Sequence, residues 1–360
     1  MRGDIFVADA VAHAYDWTEP NFANPWAANF SSAAYGLHCL VSPNNEYRLT
    51  QDEFISNWQP ETLEKIFFSE TDVDLISYHS TPLHDYYKDG LSSLEKGVEL
   101  KRRNPHRVVL YGNINPLEGS KALEDMEYQV KEFGVSGIKL YPARYYMGRT
   151  LPERLDDPKF GVPMVEKAIE LGVKAIAVHK AIPFGPTQAY QYRVDDIDEI
   201  AAMFPQMNFE IVHAGFAFVE ETSFLLGRFP NVYVNLEVTA SLAINNPRKF
   251  AEAMGNFLYW GGEDRILFAT GCSFVHPQPV IESLLNFQMP ADLMSGYDYP
   301  QMTETVKRKV LGENFCRLHG LDIEHIKQNI ASDQWSQGRT QGNQPPWSTI
   351  RSAVAASGRA

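Results

Sequence analysis

The sequence predicts an α/β fold closed into a (β/α)8 TIM barrel. Eight short β-branched runs alternate with amphipathic segments across the 360 residues, the beat of successive βαβ units around a parallel sheet. The long excursions from this beat all follow the C-terminal ends of runs, where barrels assemble their sites. No GxGxxG follows a run and no GxxxxGK[ST] occurs, so nucleotide-type doubly wound sheets lose support.

The eight runs are Ile5–Ala8, Val73–Tyr78, Val108–Asn113, Gly137–Tyr141, Ala175–His179, Asn208–His213, Val232–Leu236 and Ile266–Thr270. Amphipathic stretches such as SKALEDMEYQVKEFG and VPMVEKAIELG separate them. Residues 14–60 form an aromatic- and Asn/Pro-rich insertion after the first run, read as a lid carrying Trp17, Phe22, Trp26, Phe30 and Tyr35. Loops of that length are uncommon unless they wall a site. Further excursions occupy 142–162 and 180–194. Residues 1–332 are read as one metal-dependent barrel and 333–360, rich in Gln, Ser, Gly and Pro, as a flexible tail or an arm on a neighbouring subunit.

A net charge of −13 argues against nucleic acid and anionic membrane as partners. No apolar stretch is long enough to span a bilayer. The N-terminus meets two aspartates before a signal-peptide core could form, and Cys39, Cys272 and Cys316 are odd in number and far apart. Both features predict a cytoplasmic protein.

Four histidines stand at or just past run ends: His13, His79, His179 and His213. A lone strand histidine is commonly structural, but four at one barrel edge converge on one volume, and neutral imidazole is the commonest transition-metal ligand. Glu237, at the end of VYVNLE, shares a face with Tyr233 and Asn235 by alternation. A carboxylate in a barrel mouth must be metal-bound or paired; the pairing candidates are Lys139, Arg144 and Lys180. Asp9 has His13's parity and is read as orienting a histidine, with His276 a reserve beyond the eighth run. Lys139 in GIKLYP is an ion-pair partner, a substrate contact or a modified bridging ligand. Arg144 and Arg149 are candidates for an anionic substrate group. Tyr15, Tyr145, Tyr146, Tyr190 and Tyr192 are candidate pocket walls, and Trp17 a substrate contact. Tyr15, Lys139 and Glu237 are the candidate catalytic groups.

The pieces ADAVAH, GVSGIKLYP, AIAVH, FEIVHAG, FPNVYVN, DRILFATG and VLGENFCRLHGLD resemble, in order and spacing, the amidohydrolase superfamily, in its amidohydrolase-related branch. The resemblance implies a barrel with one or two metals, bound by a His-x-His after the first strand, histidines at the fifth and sixth, and an aspartate at the eighth. This chain departs from that pattern: Val11 stands for the first histidine, and Gly271 in FATGCS for the aspartate. Loss of that aspartate removes a general base from metal-bound water, while His79 and Glu237 are additions.

This rebuilding is similar in kind to the dinuclear iron oxygenases on the same fold, such as 2-aminoisobutyrate hydroxylase and the platensimycin-pathway diterpenoid hydroxylase. It leads to the expectation of a monooxygenase with two irons, or iron and manganese, hydroxylating a small or CoA-linked substrate with O2 and an electron donor. The alternatives are a mononuclear-metal (zinc) hydrolase or decarboxylase using His13, His179 and His213, and a structural subunit beside an active paralogue. A homo-oligomer, or a hetero-oligomer with a paralogous barrel, is expected.

Overall fold

The computed structural model describes residues 5–183 and 185–356. Eight parallel strands form one sheet: β1 (Ala8–Ala12), β2 (Leu75–His79), β3 (Val108–Asn113), β4 (Gly137–Leu140), β7 (Ala175–His179), β8 (Asn208–Val212), β9 (Val232–Asn235) and β10 (Ile266–Leu267). The sheet closes where Ala10 N donates to Phe268 O at 2.9 Å and His13 N to Cys272 O at 3.1 Å. A hairpin of β5 (Ala143–Tyr146) and β6 (Arg149–Pro152) interrupts the order after β4. It falls inside the 142–162 excursion, where the sequence shows no clear alternation. The first strand lies further along than Ile5–Ala8.

Alternation sorts the barrel. Ile138, Ile176, Val178, Ile211, Val232 and Val234 face the helices and join the large outer core. Ala8, Ala10, Ala175, Ala177, Leu267 and Ala269 belong to a second cluster inside the barrel, with the larger Leu75, Val109, Tyr111 and Tyr233. Phe315, Cys316 and Leu318 of Asn314–His319, with Ile326 and Ile330 of the following helix, plug the N-terminal end. The C-terminal end stays open for function.

Helix α1 (Pro25–Val41) lies within the long insertion; Asn24 caps it, its side chain accepting from Trp26 N. The stretch from Asp333 to Ser348, part of a segment read from sequence as loose or as an arm on a neighbouring subunit, packs on this chain's own barrel. Arg107 pairs with Asp333 at 2.6 Å and Arg339 with Asp74 at 3.0 Å. Trp347 is fully buried, its ring 4.8 Å from that of His276, and Glu70 accepts from Trp347 N and Ser348 Oγ at 2.7 Å. Anchors of this kind outweigh a polar composition, which alone suggested disorder. No helix among the described residues is long and apolar enough to cross a membrane.

Candidate metal centre

Strand ends deliver the site. Parity places Lys139 and His179 inward, and Glu237 reaches the same mouth just past β9. Backbone strain marks these ends: His213, Ala214 and Val238 hold φ of +65°, +50° and +59°, conformations that persist for non-glycine residues only where the surroundings enforce them. All the groups at the centre are buried.

The hydrogen bonds fix the proton on each imidazole. His13 Nδ1 lies 2.8 Å from His79 O, His213 Nδ1 3.1 Å from Glu237 O and His179 Nε2 2.8 Å from Ile182 O. A carbonyl only accepts, so each of these nitrogens carries the N–H. The opposite nitrogens turn inward: those of His179 and His213 face each other, and that of His13 meets the Glu237 carboxylate. His13 Nε2 is 3.1 Å from Glu237 Oε1, His213 Nε2 is 3.1 Å from His179 Nδ1, and Glu237 Oε2 is 3.7 Å from His213 Nε2. The facing nitrogens of His179 and His213, both acceptors in these tautomers, repel unless a proton or a cation lies between them.

Burial pushes His213 down to about 4 and His179 well below the ordinary imidazole range, so neither of these two rings is charged at neutral pH. Burial pushes the Glu237 carboxyl up, but His213, Lys139 and His13 outweigh it and hold it well below the usual carboxylate range. Because His213 is neutral, Glu237 is held ionised by Lys139, 3.8 Å away, and by the hydrogen bond to His13 Nε2 at 3.1 Å. Lys139 is itself pushed down by burial, opposed by Glu237 and Glu210. Its Nζ, Glu237 Oε2 and both ring nitrogens of His79 are buried without a hydrogen-bond partner.

His79 stacks on Tyr111 with centroids 4.1 Å apart and stands 6.2 Å from the His13 ring. It borders the cluster without touching its donor atoms. Gly271 is where the resemblance expects an aspartate. A Cβ there would lie 2.8 Å from Glu237 Cγ and 3.0 Å from Oε1. The Glu237 side chain therefore fills the room that a residue-271 side chain would use, so a carboxylate from the neighbouring strand occupies that place.

Other expected site residues lie elsewhere. Asp9 bonds Thr270 N at 3.0 Å and Val11 N at 3.1 Å, not a histidine. The β1–β2 register shifts between Asp9 and Ala12, and a bulge of this kind breaks the parity count that linked Asp9 to His13. Burial raises the Asp9 carboxyl to about 7. His276 pairs with Glu70 at 3.3 Å and caps the helix that begins at Pro277. Arg144 is tied to Glu153 across the hairpin, and Arg149 is exposed in β6. Trp17 is fully buried behind the pocket, 5.5 Å from Phe30 and 4.7 Å from Tyr15 by ring centroid. Among the candidate tyrosines, Tyr15 stacks on His13 at 4.6 Å and faces the cavity.

A cavity of about 410 Å³ opens above His179, His213 and Glu237. Trp26, Phe30, Ala33 and Leu37 of α1 form one wall and Tyr141, Ile182 and Phe274 another. The position of α1 follows from its 3.6-residue repeat, which turns these side chains to one face. Tyr141, which sequence reasoning did not single out, stacks on His179 at 4.8 Å. Beneath the centre runs a buried polar layer, also unforeseen: Tyr111 donates to Glu210, Asn235 Nδ2 donates to Glu210 at 2.8 Å, and Tyr111 Oη contacts His319 Nε2 at 2.8 Å. Alternation of Glu210 in NFEIV was the available signal.

The sequence profile described as amidohydrolase matches residues 97–321, more than half of the chain. The chain belongs to the amidohydrolase family. Solved structures confirm the family's barrel. An uncharacterized TIM-barrel protein of Bordetella bronchiseptica aligns with TM-score 0.60 at 16% identity, over 88% of this chain and 98% of that one. The 2,6-dihydroxybenzoate decarboxylase from Rhizobium aligns with TM-score 0.53 at 15% identity, over 87% and 99%. The 5-carboxyvanillate decarboxylase of Novosphingobium aromaticivorans, complexed with manganese, aligns with TM-score 0.54 at 12% identity, over 89% and 97%. No curated protein matches the chain significantly.

Proposed function

We propose that this family member is a metal-dependent enzyme whose ion is held by His13, His179, His213 and Glu237. One observation carries the reading: backbone carbonyls take the outer N–H of each imidazole, which turns the inner nitrogens of His13, His179 and His213 toward one another and the Glu237 carboxylate. Outer hydrogen bonds of this kind orient metal-bound histidines, and three imidazoles with one carboxylate suit a divalent first-row ion. Donor atoms that share an ion at about 2.0–2.2 Å stand roughly 3–4 Å apart, the range of the contacts here. Among the described residues no three such groups are already placed to hold an ion together, so binding would require their side chains to rearrange.

The reaction class best supported is non-oxidative decarboxylation of a small organic acid, with hydrolysis the near neighbour. Two of the aligned barrels are decarboxylases, one with manganese bound. The ion would supply a Lewis acid for a substrate oxygen. Glu237, kept ionised by Lys139, would serve as ligand or proton acceptor. Burial keeps the Tyr15 phenol protonated, so it offers an O–H to a substrate oxygen. The α1 wall would exclude water. In the step itself the C–C bond breaks, CO2 leaves and a proton takes its place on carbon.

A dinuclear oxygenase is a second reading, favoured by the His79 and Lys139 nitrogens that stand beside the cluster without a hydrogen bond. Metal-reconstituted protein, supplied with benzoic and short aliphatic acids, should release CO2 without consuming O2. Substrate-dependent O2 uptake with a reductant present would transfer the proposal to the oxygenase.

A further inference from the structure

We infer that the substrate carries one polar head, directed at the metal cluster, on an uncharged apolar body, and that a second anionic group is excluded. This inference rests on the reading of the floor as a metal centre.

The cavity above the cluster has room for a small organic molecule of fragment size. Its polar lining is concentrated on the floor, at His179, His213 and Glu237, with Tyr15 and Tyr141 beside them. Phe30, Leu37, Ile182, Pro183, Val238 and Phe274 make the rest of the wall apolar, and Asn29 adds one amide. No lysine or arginine lines it among the described residues.

The neighbouring cations are committed elsewhere. Lys180 Nζ sits 2.5 Å from Asp196, both fully buried. Arg144 is paired with Glu153, and Lys139 lies with Glu237 at the floor. A head group at the floor can meet the ion. A second carboxylate or phosphate, carried out along the body, would lose its water against hydrocarbon with no countercharge. The chain's net charge of −13 adds to that exclusion at long range. The same argument sets aside a CoA thioester bound with its phosphates inside this cavity.

Calorimetric binding of three probes to the manganese-loaded protein tests this: benzoate, terephthalate and cyclohexanone. Benzoate should bind, and terephthalate, which adds a carboxylate at the far end, at least a hundredfold more weakly. Ala33→Arg places a cation on the exposed, cavity-facing side of α1. It should raise terephthalate affinity relative to benzoate at least tenfold; Asn29→Arg should do the same. Terephthalate bound as tightly as benzoate by the unaltered protein would overturn the inference, as would no response in either arginine variant. Cyclohexanone needs no metal: if it binds metal-free protein while manganese does not bind at all, the metal-centre reading fails and the apolar cavity stands. If cyclohexanone binds neither form, the inference fails.

Discussion

Replacing Glu237 with Gln keeps the side-chain volume and removes one charge from the centre of the cluster. Glu237 lies 3.8 Å from Lys139 Nζ, where the attraction of unit charges is roughly 4 kcal/mol at an effective dielectric of about 20. Breaking a buried ion pair by removing one partner costs about 3–5 kcal/mol. Here Lys139 can shed its proton, because burial already pushes it down, so a smaller loss of ~1–3 kcal/mol is expected in metal-free protein. Metal affinity should fall far more, since the only carboxylate in the donor set is lost. Inductively coupled plasma mass spectrometry and thermal unfolding, with and without added manganese, read the two effects separately. Adding Lys139→Met to Glu237→Gln removes the stranded cation and should recover the apparent stability without restoring metal. Full metal occupancy in Glu237→Gln, with stability lost and then recovered in the double variant, would show a plain ion pair and refute the reasoning.

Four further outcomes follow from the same geometry. His179→Ala or His213→Ala should weaken manganese binding by more than the ~10–100-fold cost of losing an outer partner, with circular dichroism unchanged. Gly271→Asp should destabilise by about 1–3 kcal/mol in thermal melts, because its Cβ meets Glu237 Cγ at 2.8 Å and its φ is +66°; shortening Glu237 to Ala in that background should relieve part of the loss. His319 is pushed down to about 3 by burial. The native state therefore binds fewer protons than the unfolded one between pH 6.5 and 3, and stability should fall as pH drops through that window, less steeply in His319→Gln. Trp347→Ala should cost about 3–5 kcal/mol, since the ring is fully buried among His38, Trp58 and His276.

The barrel was legible because its strands obey simple alternation: AIAVH and VYVNLE place His179 and Glu237 at the mouth as the period of two requires. Where local backbone departs from the period, the count failed. The register shift in β1 carried Asp9 away from His13, and positive φ at His213 redirects a side chain that strict alternation would send outward. Proximity of Arg144 to the mouth suggested a substrate contact, but its partner Glu153 sits across a hairpin whose register only the fold fixes. The C-terminal segment looked disordered because composition averages over residues, whereas a single tryptophan and a few buried ion pairs anchor it. Glu237 filling the space in front of Gly271 is a contact between two strand ends, invisible to any linear motif.

The most direct measurement is anomalous diffraction at the manganese edge on crystals grown with Mn(II). The account predicts one strong peak about 2.0–2.2 Å from Glu237 and from the inward nitrogens of His13, His179 and His213. A manganese-loaded crystal with no peak among these four residues, or a peak held by His79 and Lys139 without them, would contradict it.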